Sequence, residues 1–168
     1  MTILVLHAAA ALFMTGLVWF VQVVHYPLLH RVGASGFSRY EIQHTRRTSP
    51  IVVPVMFFEL GSGVWLAIVP PTESSALLLA NVVLLAIIWL STFVLQAPLH
   101  RQLARGFVAE SVDRLVSTNW IRTLSWSLRS VLLLFVLQTL TEPPPPAPIP
   151  QPVAPLMQSP PMQGVLLK

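Results

Sequence analysis

Long apolar blocks alternate with polar ones along this chain. The apolar runs cover residues 2–24, 51–69, 76–97 and 121–140. Each reaches or approaches the roughly 20 residues that a helix needs to cross the hydrocarbon core of a bilayer. The pattern therefore predicts an all-α protein, an integral membrane antiparallel four-helix bundle. The polar blocks add a second regularity. Pro27-Leu28-Leu29-His30-Arg31 falls on Pro98-Leu99-His100-Arg101, Gly36-Phe37 on Gly106-Phe107, and His44-Thr45-Arg46-Arg47-Thr48 on Asn119-Trp120-Ile121-Arg122-Thr123. This reads as a duplicated two-helix hairpin with halves at about 1–70 and 75–140, related by an axis along the membrane normal.

Between the runs, Leu103, Phe107, Val108, Val112, Leu115 and Val116 recur at helical spacing among charged residues. They predict a short helix lying along the membrane surface. Tyr26-Pro27 should end or bend the first span. Ser49-Pro50 suits the start of the second, with serine as cap and proline in the first turn. Trp19, Trp89, Trp120 and Trp126 suit span ends, where an indole is half wet. From residue 141 the periodicity stops. Ten prolines between 142 and 161 predict that 141–168 is a disordered or polyproline II tail.

Composition sharpens the membrane assignment. Only 10% of the 168 residues are charged, against about a quarter in soluble domains. The net charge of +4 does not indicate a nucleic-acid partner. Arg31, Arg39, Arg46 and Arg47 lie in one polar block, and Arg101, Arg105, Arg114 and Arg122 in the other. The connection at 70–75 has no basic residue. The positive-inside rule puts 28–49 and 98–120 in the cytoplasm and both termini outside. The first run lacks a basic leader and is too long for a signal core, so it is expected to remain as a span. There is no cysteine, hence no disulfide or thiolate chemistry.

A few polar residues inside the spans carry the candidate chemistry. Glu59 lies nine residues beyond Pro50, about 13 Å deep at 1.5 Å per residue. An intramembrane carboxylate costs on the order of 3 kcal/mol and calls for a partner or a function. Arg129 is the expected partner, in a buried ion pair. Gln22 and His25 share a helix face. In the repeat His25 corresponds to Gln96 and His44 to Asn119, so one half carries imidazoles where the other carries amides. Imidazole moves protons, whereas an amide only hydrogen-bonds. His25 and Glu59 are therefore the candidate proton-transfer groups. Gln22, His44, Arg47, Gln96, Asn119, Arg122 and Arg129 are the candidate contacts to a bound molecule. Arg47 and Arg122, at the starts of spans, suit an anion site.

No metal site is expected. His44 and Glu59 are separated by about 22 Å of helix, and His7 and His25 by about 27 Å, which disfavours bis-histidine haem. The residues name no cofactor. His30 and His100 read as contacts to lipid headgroups. Asn81, Ser91 and Thr92 read as interhelical hydrogen-bonders, and Gly16, Gly61 and Gly63 as close-packing positions.

The set His25-Tyr26-Pro27, His44-x-x-Arg47, Glu59 and Asn119-Trp120-x-Arg122-Thr123 resembles small bacterial four-span transmembrane proteins of unknown function, over residues 1–140. The layout is more loosely similar to anthrone-oxygenase-like membrane proteins, with no catalytic residue carried over. The resemblance implies a multi-pass protein of the bacterial inner membrane. Two functions fit the residues. One is an enzyme or redox protein acting on a lipophilic small molecule, such as a quinone or polycyclic phenol. The other is a non-catalytic carrier or assembly factor in which the polar residues are structural. The first requires a cavity near His25, the second a filled bundle. The oligomeric state is not legible.

Overall fold

The computed structural model describes residues 1–71 and 75–141, so the connection holding Glu73 and the proline-rich tail lie outside the described residues. Four long helices form the molecule: α1 (Thr2–Arg31), α2 (Ala34–Ile68), α3 (Ser75–Leu103) and α4 (Ala109–Thr141). They make an antiparallel bundle, with no β-strand among the described residues. Each helix packs on its chain neighbours and α4 closes the ring against α1. Thus α1 faces α3, and α2 faces α4, across the diagonals.

All four helices are long and apolar enough to cross a membrane. The distribution of polarity agrees. Phe20, Phe57, Trp65, Leu90, Phe93 and Phe135 stand on the outside, while Glu41, Glu59, Arg122 and Arg129 are buried. That inversion suits a solvent of lipid chains, since in water such an apolar exterior would drive association. The protein is a multi-pass membrane protein.

The helices are longer than the apolar runs that announced them. Tyr26-Pro27 does not end α1. Instead the helix widens by one residue over Val21–His25, where the Tyr26 amide donates to the Val21 carbonyl five residues back. The same happens over Thr92–Gln96, where the Ala97 amide donates to Thr92. Each wide turn ends two residues before a proline, Pro27 or Pro98. A proline has no N–H for the carbonyl four residues earlier and its ring clashes with that carbonyl. Inserting a residue moves the carbonyl aside, so the helix continues.

Ser49-Pro50 likewise does not start the second span. Pro50 and Pro54 lie inside α2. They are exposed and four residues apart, so the two lost bonds fall on one outer strip, at the carbonyls of Arg46 and Pro50. Before them, Phe37 and Glu41 are fully buried on one face, which anchors the early part of α2 to its neighbours. At 35 residues, α2 spans about 52 Å, well beyond the hydrocarbon thickness.

The breaks are short. α1 reverses into α2 through Gly33, whose φ of 81° is open to glycine and strained for other residues. α3 ends at Leu103 and α4 begins at Ala109. The surface helix expected over 103–116 is therefore absent. Val112 and Leu115 are buried with Phe37 and Leu103, in an apolar layer that makes this stretch the first turns of α4.

Three apolar layers stack along the bundle. Leu4, Ala11, Leu66, Leu78 and Leu133 form one end. Met14, Val18, Met56, Ile88 and Trp126 form the middle. Tyr26, Leu29, Phe37, Leu103 and Leu115 form the other end, near the two arginine-rich stretches. Trp126 is thus a core residue, not a span end. Polar residues cluster between the layers.

Candidate functional site

The first cluster centres on Arg129, which is fully buried on α4. Its Nη1 donates to Glu59 Oε1 at 2.7 Å, across the diagonal from α2. The expected contact between these two residues is present. Trp126 Nε1 donates to Glu59 Oε2 at 3.1 Å. Arg129 Nε donates to Asn81 Oδ1 at 3.2 Å, and Asn81 Nδ2 returns to the Arg129 carbonyl at 3.4 Å.

The remaining nitrogen, Nη2, lies 3.3 Å from His7 Nε2. A guanidinium only donates, so His7 Nε2 accepts and its proton sits on Nδ1. Nδ1 then donates to Ser62 Oγ at 2.7 Å, and the Ser62 hydroxyl passes on to the Phe58 carbonyl at 2.6 Å. His7 and Asn81 are therefore two acceptors serving one cation. Gly63 makes room for this imidazole: a Cβ there would come 3.1 Å from His7 Cε1. No such neighbour crowds Gly16 or Gly61, so close packing explains Gly63 alone. The Arg129 cluster draws on all four helices, and its charge is compensated.

Seven residues earlier on α4, Arg122 is in a different situation. It is only 8% exposed. Nη1 donates to Asn119 Oδ1 at 3.2 Å, and the guanidinium lies 5.2 Å from the Trp126 ring centroid. Nε is buried without a partner among the described residues. No carboxylate pairs with this arginine among them: the three ion pairs are Glu59–Arg129, His100–Glu41 and His30–Asp113.

Arg122 borders a cavity of about 430 Å³ between α1, α2 and α3. Met14, Leu17, Val52 and Met56 wall one part, and Tyr26, His44, Gln96 and His100 another. Val53 and Phe93, both on the outer apolar face, also line it, so the cavity is accessible from the lipid side. Both wide turns contribute wall residues, Val21 from α1 and Thr92, Phe93 and Gln96 from α3. Wide turns inside α-helices are frequent at functional sites. Here each wide turn buries one amide side chain, Gln22 or Gln96, while Val23, Val24, Phe93 and Val94 stay exposed.

Several sequence candidates gather around this cavity. Gln22 Oε1 accepts from Asn119 Nδ2 at 2.9 Å, and its own amide donates to the Val116 carbonyl at 3.0 Å. This fixes Asn119, which in turn holds Arg122. Gln96 accepts from Ser91 at 3.0 Å and donates to Thr118 at 3.3 Å. His25 and His44 stack with ring centroids 4.3 Å apart. His44 lines the cavity, whereas His25 sits behind it with Nε2 buried and unpartnered. Glu59 is not part of the lining. Its oxygens are engaged by Arg129 and Trp126.

Other expectations change. Arg47 is exposed, and neither it nor Arg122 is at a helix start, because α2 and α4 begin thirteen residues earlier at Ala34 and Ala109. They do not form a shared site at helix N-termini. Ser91 and Thr92 bond within α3, to Gln96 and the Ile88 carbonyl, not between helices. His30 pairs with Asp113 at 3.0 Å.

His100 is not a headgroup contact. Its Nδ1 is 2.5 Å from Glu41 Oε1 and its Nε2 is 3.0 Å from the Tyr26 hydroxyl. Glu41 is the residue that sequence reasoning missed. The available signal was register: Phe37, Glu41, His44, Thr45 and Thr48 recur three and four apart, so one face of this stretch carries a lone carboxylate. Among the described residues no group of three or more His, Asp or Glu is arranged to hold a metal ion.

Comparisons with protein-family models, curated proteins and solved structures return no match. The likeness to small bacterial four-span proteins, and the looser one to anthrone-oxygenase-like proteins, therefore rests on the motifs alone. What stands is a four-helix, four-span membrane protein with a buried polar network and a cavity beside its one uncompensated buried arginine among the described residues.

Proposed function

We propose that this membrane protein takes up a lipophilic molecule with an anionic or ionisable head, seated against Arg122. The uncompensated Arg122 beside the cavity carries this reading. A buried cation without a counter-charge is costly, and seven residues away the same helix holds an arginine with its carboxylate supplied. At Arg122 the bound molecule supplies it. Gln22 and Asn119 position the guanidinium, while His44 and Gln96 offer hydrogen bonds around the head. The Met14–Met56 end accepts the apolar body, and entry is from the bilayer between α2 and α3.

The structural reading of the polar residues applies best to the other cluster. Glu59, Arg129, Asn81, His7 and Ser62 satisfy one another, which suits a brace across the bundle. His25 supports His44 by stacking. We also propose that both arginine-rich ends face the cytoplasm and that the chain arose by duplication of a hairpin, given the matched wide turns before Pro27 and Pro98. A bacterial inner membrane is the setting that the motif resemblance suggests.

The test uses 2-naphthoate and 2-naphthamide, equal in shape and one charge apart, with purified protein in neutral detergent. The acid should bind more tightly than the amide. Arg122→Gln should remove most of that preference, about tenfold or more in affinity, as expected for a charge-assisted hydrogen bond worth 1.5–3 kcal/mol. Equal binding of acid and amide, or a preference that survives Arg122→Gln, would refute it.

A further inference from the structure

A second chain of residues reaches the same cavity, and none of its members belongs to the Arg122–Asn119–Gln22 group. Glu41 on α2 is fully buried, with Oε1 at His100 Nδ1 on α3. A carboxylate only accepts, so Nδ1 carries the imidazole proton and Nε2 keeps its lone pair. Nε2 faces the Tyr26 hydroxyl at 3.0 Å, so the phenol donates to it. Tyr26 and His100 both line the cavity, as does Arg122. Glu41 Oε2 is buried without a partner among the described residues. The carboxylate is thus committed to His100 alone.

Carboxylate, imidazole and hydroxyl in series are the arrangement that activates a hydroxyl oxygen in acid–base catalysis. The carboxylate fixes the tautomer and ring orientation, and stabilises the imidazolium when it forms. Here the hydroxyl belongs to a tyrosine lining a largely apolar cavity, which is also bordered by a cation without its own counter-charge among the described residues.

We infer that Tyr26, acting through His100 and Glu41, removes a proton from the molecule held at Arg122. Its substrate class is a lipophilic phenol or enolisable ketone. This rests on the binding reading above. For a ketone, the C–H bond breaks and its electron pair moves onto the carbonyl oxygen, which becomes an enolate facing Arg122. The proton goes to the Tyr26 oxygen as the phenol proton passes to His100 Nε2. His100 becomes an imidazolium against the Glu41 carboxylate, and the reverse step returns the proton. No oxidant or reductant is consumed. A carboxylic acid is already ionised at neutral pH and needs no base, so the relay points to weaker acids. Tyr26 is the catalytic residue, and His100 and Glu41 act through it.

The probe is 2-tetralone in deuterated buffer with the intact protein, following loss of its C1 protons by NMR. Wild type should exchange faster than detergent buffer, and 2-naphthoate should suppress the excess. Tyr26→Phe and His100→Gln should each lower the excess on the order of 10²-fold, as for loss of a general base. Both should lose exchange far more than naphthoate affinity. Glu41→Gln should do the same, with partial recovery in Glu41→Asp. Because Glu41 is buried, folding of each variant is checked by its melting temperature, and Tyr26→Phe decides if Glu41→Gln does not fold. The relay is overturned if wild type binds naphthoate yet exchanges no faster than buffer, or if Tyr26→Phe exchanges like wild type. Exchange that depends on Tyr26 without any naphthoate binding would instead overturn the Arg122 reading and leave the relay.

Discussion

Breaking the Glu59–Arg129 pair from one side should cost more than removing both charges. Arg129→Met leaves a fully buried carboxylate whose only remaining donor among the described residues is Trp126 Nε1. It also takes the donors from Asn81 Oδ1 and His7 Nε2. Glu59→Gln leaves a fully buried guanidinium facing only neutral acceptors, the new amide oxygen, Asn81 Oδ1 and His7 Nε2. Stripping one partner from a buried pair costs about 3–5 kcal/mol. In the double variant no uncompensated charge remains. What persists is the loss of hydrogen bonds to His7 and Asn81, about 1 kcal/mol each. The double variant should therefore lose about 2 kcal/mol, against roughly 6–10 kcal/mol if the single losses added. Unfolding each variant in mixed micelles by SDS titration, followed by circular dichroism and fluorescence, measures all four corners of the cycle. Losses that add to within about 0.5 kcal/mol would mean that the residues are energetically independent, and the proposed brace would be wrong.

Gly63→Ala should destabilise by about 1–2 kcal/mol, because its Cβ would press on His7 and overfilled sites strain their neighbours. Gly61→Ala, with open space around it, should be neutral or slightly stabilising in the same titration, and an equal loss at both glycines would contradict the packing account. Reporter domains fused after residue 74 and after Arg105 should read outside and cytoplasm respectively, and the opposite result would reverse the proposed orientation. Superposing 3–69 on 76–140 should bring Pro27 onto Pro98. A rotation axis far from the bundle axis would make the matched motifs coincidental.

The hydrophobic blocks alone determined the class of this protein. Four runs of spanning length allow little besides a four-helix membrane bundle, because a bilayer offers the backbone no other hydrogen-bond partners. The Glu59–Arg129 contact was also legible, since so few charges lie within the spans that each had one obvious partner. Helix ends were not. Pro27 and Pro50 read as boundaries, yet a wide turn absorbs the first and the second lies exposed inside α2. Whether a proline ends a helix depends on what packs around it, and Phe37, Val112 and Leu115 were buried by partners far away in sequence.

The site itself was decided by rotation. In water, an apolar face tells which side of a helix turns inward. Here the outward faces are apolar too, so periodicity cannot phase the helices. The sequence could not tell that His100 faces Glu41 and Tyr26, that Arg122 borders a cavity, or that Arg47 faces away. Each of those facts is set by the angle at which four helices meet, and that angle follows from packing and from the two residues inserted before Pro27 and Pro98.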